Sequence, residues 1–250
     1  MSLSVARSEL ILGGQKSGKS RRAEALAAQW LAASPAHRAL LIATAEAHDE
    51  EMRQRIARHQ SDRAARVPRM QTLEEPRDLA RVLVQRGAPD TLIVVDCLTL
   101  WLTHWMFGSD ENLIQKEALG GCRTWSVESE NRPQRGQFLP DLQPHSPAMG
   151  QKDGEKWTAA ADLQPTISTS DSLLSHDWTA QAALFFEALA KTPGPVVLVG
   201  NEIGLGVIPL GSQVRAFVDA LGVLNQQAAQ ACARATLMVS GLPLTLKDTP

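Results

Sequence analysis

Cysteine is scarce in this chain. Cys97, Cys122 and Cys232 are odd in number and widely separated. That pattern is neither a disulfide framework nor a zinc site, and it fits a reducing, cytoplasmic setting. Long apolar runs are missing too: no stretch approaches the roughly 20 residues that a membrane span needs. The first residues, Met1-Ser2-Leu3-Ser4-Val5-Ala6-Arg7, lack a basic start followed by an apolar core, so no signal peptide is expected. Charge of one sign is also lacking. A formal net charge of −2 argues against a dedicated nucleic-acid surface, which needs clustered Lys and Arg. No internal repeat is present. What remains is a chain of 250 residues, 44% hydrophobic, long enough for one large core or two modest domains.

The most informative stretch is Gly13-Gly14-Gln15-Lys16-Ser17-Gly18-Lys19-Ser20, which fits the phosphate-loop pattern G-x-x-x-x-G-K-[ST] at every fixed position. The apolar run Leu10-Ile11-Leu12 before it reads as a buried strand. Arg21 to Ala28 after it reads as a helix. Strand, glycine loop and helix together give the pattern its mechanism. The glycines let the backbone turn tightly and aim N–H groups at a phosphate chain, and the helix N-terminus adds partial positive charge. In such a loop Lys19 reaches the β- and γ-phosphates, and the Ser20 hydroxyl can bind Mg²⁺. The chain is therefore expected to bind a nucleoside triphosphate.

Further strands are expected at Ala39–Ala43, Thr91–Val95, Val196–Val199 and Thr236–Ser240. Helices are expected at about 49–62, 77–85, from 97 onward, at 176–190 and at 214–233. In the helix after Asp49, Met52, Arg55, Ile56, His59 and Arg63 recur at spacings of three and four and share one side. Continuous apolar strands alternating with helices predict an α/β fold, a mostly parallel sheet covered on both faces. Asp96 ends one strand. An acid there is either the second magnesium ligand of a phosphate-loop enzyme or the N-cap of the helix that follows. From about Gly108 to Leu174 the composition turns to Ser, Gln, Pro, Gly and Glu, with five prolines and no sustained period. This reads as a long, loose insertion in a single domain made of residues 1–107 and 175–250, or as a partner-binding arm. After Val199, Gly200-Asn201-Glu202-Ile203-Gly204-Leu205-Gly206 lies at the sheet edge where such folds bind ligands.

Taken in order, these pieces resemble one family, the bifunctional adenosylcobinamide kinase / adenosylcobinamide-phosphate guanylyltransferases of cobalamin biosynthesis. The resemblance is carried by Gly13-Gly14-x-x-Ser17-Gly18-Lys19-Ser20, Ile42-Ala43-Thr44-Ala45, and Asp49-Glu50-Glu51-Met52-x-x-Arg55-Ile56-x-x-His59-x-x-x-Arg63. It continues in Val95-Asp96-Cys97-Leu98-Thr99-Leu100-Trp101-Leu102-Thr103, Asn201 to Pro209, Arg215 to Gln226, and Gly241-Leu242-Pro243. It implies a RecA-like fold and a homo-oligomer, a trimer in the well-known case. It also implies two reactions. ATP or GTP phosphorylates the aminopropanol hydroxyl of adenosylcobinamide. GTP then passes GMP to adenosylcobinamide phosphate through a guanylylated histidine. By resemblance that histidine is His59, and nucleotide contacts fall on Gly13 to Ser20, Thr44, Arg55, Arg63, Glu74 and Asp96, with Mg²⁺ on Ser20 and Asp96.

The residues around His59 suit that role. A neutral imidazole is a competent nucleophile toward phosphorus. Arg55, Arg58 and Arg63 disfavour imidazolium and offer charge to the phosphoryl oxygens. From spacing alone, His59 could equally pack beside Met52 and Ile56. His104 stands where the family usually has asparagine, and it is a rival near the same edge. Lys16 replaces a usual arginine, which keeps charge but loses the bidentate fork, and Val218 and Val223 stand where arginine is common. Two other readings therefore stay open: a phosphate-loop kinase without guanylyl transfer, and a non-catalytic nucleotide-binding module.

Overall fold

The computed structural model describes residues 3–47, 50–108, 178–207 and 211–249. Expectations about the insertion, Cys122, Asp49 and residues 208–209 lie outside the described residues.

Seven strands and six helices alternate along the described chain. They are β1 (Ser8–Gly13), α1 (Lys19–Ala33), β2 (Arg38–Ala43), α2 (Glu50–Arg66), β3 (Met70–Glu74), α3 (Leu79–Arg86) and β4 (Thr91–Asp96). Then come α4 (Leu98–Phe107), α5 (Trp178–Lys191), β5 (Val196–Val199), α6 (Ser212–Ala231), β6 (Arg234–Val239) and β7 (Leu242–Asp248). The sheet order is β3-β2-β4-β5-β1-β6-β7. All neighbours run parallel except β6 and β7, which form an antiparallel hairpin.

Strand alternation sends neighbouring side chains to opposite faces, so β1 serves two cores. Leu10 and Leu12 join Ile93, Val95, Leu198, Trp101 and Phe185 under α3, α4, α5 and α6. Ile11 joins Leu92, Val94, Val197, Leu26 and Leu31 under α1. The two faces bury the central strands completely, which is why their sequences read as unbroken apolar runs.

Two strands depart from the sequence reading. β3 and β7 are not among the strands expected from the sequence. Both are edge strands. β3 buries only Met70 of its five residues, and β7 leaves Leu242, Leu244 and Leu246 exposed around Pro243. Neither carries the buried alternation from which a strand is recognised. The helix expected from Arg77 starts at Leu79 instead, because the Asp78 carboxylate accepts from the Arg81 N–H as its N-cap.

The order matters for function. β4, β5 and β1 lie side by side, with Asp96 and Ile11 both paired to Val199. Their C-terminal ends therefore deliver the Gly13 loop, Asp96 and the Gly200 loop to one edge.

Candidate active site

The phosphate loop leaves β1 at Gly13, whose φ is +154°, and enters α1 through Gly18 at φ +100°. A side chain at Gly13 would put its Cβ 2.6 Å from the Met238 carbonyl and 2.6 Å from Ser17 Oγ, so only glycine fits the turn. The loop is braced from β6 and β7 by the Gly241 N–H, which donates to the Ser17 carbonyl at 3.0 Å. The Ser17 hydroxyl is buried and has no hydrogen-bond partner among the described residues. An orphaned donor at the base of a loop rich in backbone N–H groups suits an anion.

Lys19 opens α1 and donates to the Gly14 carbonyl at 2.7 Å. Burial lowers its ammonium pKa, and Cys97 and Asp96 oppose that shift. The next residue, Ser20, donates its hydroxyl to Asp96 Oδ2 at 3.0 Å. Burial pushes the Asp96 carboxyl up, and the Ser20 hydrogen bond and charge on His59, Arg63 and Lys19 offset part of that. Asp96 is not the cap of α4. Cys97 holds that position, so the carboxylate is free to face Ser20. A hydroxyl and a carboxylate in contact match the hard-oxygen donors that Mg²⁺ takes from a protein when substrate phosphates and water complete its shell.

The strand end carrying Asp96 is locked by Thr44, which is fully buried. The Thr44 hydroxyl donates to the Cys97 carbonyl and accepts from the Cys97 N–H, both at 2.8 Å, while the Thr44 N–H donates to the Asp96 carbonyl at 3.1 Å. Its side chain thus positions the segment beside the acid. His104 acts on the same segment. Its Nε2 donates to the Thr44 carbonyl at 2.9 Å, and its Nδ1 lies 3.4 Å from Glu46 Oε2. With 6% of its surface exposed and both nitrogens engaged, His104 is a structural clamp and no rival nucleophile.

α2 is unusual in having almost no inner face. Of its 17 residues only Arg63 is buried, and Met52 and Ile56 are half-buried. His59 stands exposed, as do Arg55 and Arg58, so the packed-histidine reading does not hold. Arg63 is buried without an ion pair or hydrogen bond from its guanidinium among the described residues, yet its charge is felt at Asp96. The helix is fastened at its C-terminal half. Arg66 pairs with Glu24 of α1 at 2.7 Å, and Gln60 Nε2 lies 3.5 Å from Glu74 Oε1 at the end of β3. Glu74 is thereby set beside Gln60, the residue that follows His59. Lys16, at φ +55°, and Gln15 are exposed at the tip of the loop.

Reading the residues in order missed the bracing shell: Thr99, whose Oγ1 accepts from the Asn201 N–H at 2.9 Å, and Asn225, which donates to the Asn201 carbonyl at 3.0 Å. Both fall on helices more than twenty residues from Asn201, and only the fold brings them there.

The family model described as cobinamide kinase / cobinamide phosphate guanyltransferase matches residues 9–246. The chain is similar to the bifunctional adenosylcobalamin biosynthesis protein CobP of Pseudomonas aeruginosa, 37% identical over 243 residues, covering 97% of this chain and 98% of the relative. It is similar also to the bifunctional adenosylcobalamin biosynthesis protein CobU of Salmonella typhimurium, 31% identical, and to that of Escherichia coli, 27% identical. Each of these two alignments covers 95% of this chain and 98% of the relative. A phosphate loop braced for an anion, an acid bonded to its serine, and an exposed histidine on a cationic helix agree with this match: the chain belongs to the cobinamide kinase / cobinamide phosphate guanyltransferase family, whose members are bifunctional enzymes of adenosylcobalamin biosynthesis.

Proposed function

We propose that both family reactions run at this one sheet edge, with Lys19, Ser20 and Asp96 serving the kinase and His59 serving as the guanylylated nucleophile. The observation that carries the reading is the Ser20–Asp96 hydrogen bond of 3.0 Å at the foot of the phosphate loop, with α2, tied to α1 through Arg66 and Glu24, presenting an exposed His59.

In the kinase reaction the loop amides and Lys19 hold the β- and γ-phosphates of ATP or GTP. Ser20 and Asp96 would hold Mg²⁺, which supplies charge neutralisation at the transferring phosphoryl group. The acceptor is the aminopropanol hydroxyl of adenosylcobinamide. In the second reaction His59 attacks the α-phosphorus of GTP. A nitrogen–phosphorus bond forms, the α–β phosphoanhydride breaks, and pyrophosphate leaves. The GMP then moves from His59 to an oxygen of adenosylcobinamide phosphate, giving adenosylcobinamide-GDP and restoring the imidazole. Arg63 and Arg55 supply positive charge to the phosphoryl oxygens. Residues 1–107 and 175–250 form one catalytic domain interrupted by an insertion. The working form is a cytoplasmic homo-oligomer, a trimer by family resemblance. Among the described residues no helix is long and apolar enough to cross a membrane.

The test is labelling with α-labelled GTP and Mg²⁺, quenched in base. Base-stable, acid-labile label mapping to His59 is expected, absent in His59→Ala while kinase turnover is spared. Label that persists in His59→Ala places the nucleophile elsewhere.

A further inference from the structure

We propose that the loop Asn201–Val207 is the docking surface for the corrin macrocycle of cobinamide; this rests on the kinase and transferase reading above. β5 ends between β4 and β1, so this loop emerges between Asp96 and the phosphate loop. Its base is fixed. The Gly200 N–H donates to the Ile11 carbonyl at 3.0 Å, and the Glu202 N–H donates to the Gly13 carbonyl at 3.2 Å. Thr99 and Asn225 hold Asn201, and Glu202 Oε1 accepts from the Gly204 N–H at 3.0 Å. A loop anchored by four hydrogen bonds to the catalytic edge and braced by one within itself then presents aliphatic side chains to water. Ile203 is 39% exposed, Leu205 82% and Val207 99%.

Single exposed apolar residues need no explanation, but three within five positions at the mouth of a phosphate site form a patch that fits a ligand. The phosphate chain of the nucleotide has no use for aliphatic contacts, and the KM for nucleotide separates its base from the corrinoid. The exposed side chains at the tip of the phosphate loop and around His59 on α2 are polar or charged: Gln15 and Lys16, and Arg55, Arg58 and His59. The acceptor supplies the missing chemistry. Cobinamide is a large macrocycle whose edge carries methyl groups among amide side arms, and its reacting hydroxyl sits on one such arm. The macrocycle is too wide to enter beside the γ-phosphate, so it must rest on the rim while the arm reaches in. The Ile203–Val207 tip is the apolar part of that rim, and its tie to the Gly13 carbonyl fixes the spacing between macrocycle and phosphate. Docking there lowers the entropy lost in bringing hydroxyl and phosphorus together.

The test is the double variant Leu205→Ser/Val207→Ser, alongside the conservative Leu205→Met/Val207→Ile. The expected result is a KM for cobinamide raised about tenfold, equivalent to about 1.4 kcal/mol. The KM for nucleotide and the corrinoid-free labelling by GTP should stay unchanged, and the conservative pair should keep the native KM. Equilibrium dialysis with cobinamide alone should show the same loss of affinity. That measurement needs no turnover, so it judges the loop even if labelling at His59 fails. An unaltered cobinamide KM and dissociation constant overturn the proposal. So does a change confined to variants whose sedimentation coefficient has shifted, because the patch would then lie between copies of the chain.

Discussion

Replacing Thr44 by valine keeps the shape of a fully buried side chain and removes one oxygen. That oxygen makes two hydrogen bonds, one to the Cys97 carbonyl and one from the Cys97 N–H, each at 2.8 Å. Their loss is unequal. The carbonyl keeps a second donor, the Trp101 N–H at 3.2 Å, so it forfeits only the net value of a neutral hydrogen bond, about 1 kcal/mol. The N–H has no other acceptor among the described residues and is left dry, at about 1–3 kcal/mol. Thr44→Val should therefore destabilise the protein by about 2–4 kcal/mol, a large share of a typical total of about 5–15 kcal/mol. Thr44→Ser keeps the oxygen and loses one methyl group, for about 1 kcal/mol. Urea unfolding followed by circular dichroism at pH 7 separates the two. Valine should lower the midpoint at unchanged slope by at least twice as much as serine. Kinase turnover in the valine variant should fall as well, since the freed peptide adjoins Asp96. A valine variant as stable as the serine variant would refute the assignment of Thr44 as the lock on that strand end.

Other outcomes follow from the same geometry. Lys19→Ala should lower kinase turnover by about a hundredfold or more, the scale of losing a charge-stabilising donor; near-native turnover in steady-state assays contradicts its role. Asp96→Asn should abolish kinase activity yet leave the protein as stable or slightly more stable, because burial disfavours the carboxylate there. A lowered melting temperature without nucleotide would count against that. Burial raises the Cys97 thiol from 9.0 to about 11 and the Cys232 thiol from 9.0 to about 12. Below pH 9 the thiols are protonated in both states. Above it the unfolded thiols ionise first, so stability falls from pH 9 toward 11 by about 1.4 kcal/mol per unit and thiol. Urea midpoints at pH 8 and 10 should drop less in Cys97→Ala/Cys232→Ala, and identical drops would remove the thiols from the account.

The parts of the fold that could be read from sequence are those whose local pattern and tertiary environment agree. Leu10-Ile11-Leu12 is apolar because β1 is buried on both faces, and the glycine loop is spelled by residues that its backbone angles require. β3 and β7 escaped because edge strands carry mixed or exposed residues, and a proline in β7 looks like an exit. At the site, contiguous residues were legible and convergent ones were not. His104 looked like a rival to His59 because spacing cannot say which histidine is buried. The structure separates them by what each nitrogen touches. Asp96 had two possible duties, and the answer depended on a serine 76 residues earlier in the chain.

The bond from Lys19 to the Gly14 carbonyl gives the phosphate loop an internal competitor. A ligand recruits this lysine only by offering an acceptor better than a neutral amide oxygen held in place by the same chain. An ionised phosphoryl oxygen qualifies, since it adds a full opposite charge to a bond whose donor is already ionised. A hydroxyl does not, and neither does a phosphate chain too short to reach the ammonium. On this geometry a phosphate chain long enough to reach Lys19 should be favoured over a shorter one, a preference set by the resting hydrogen bond before any part of the base or sugar is contacted.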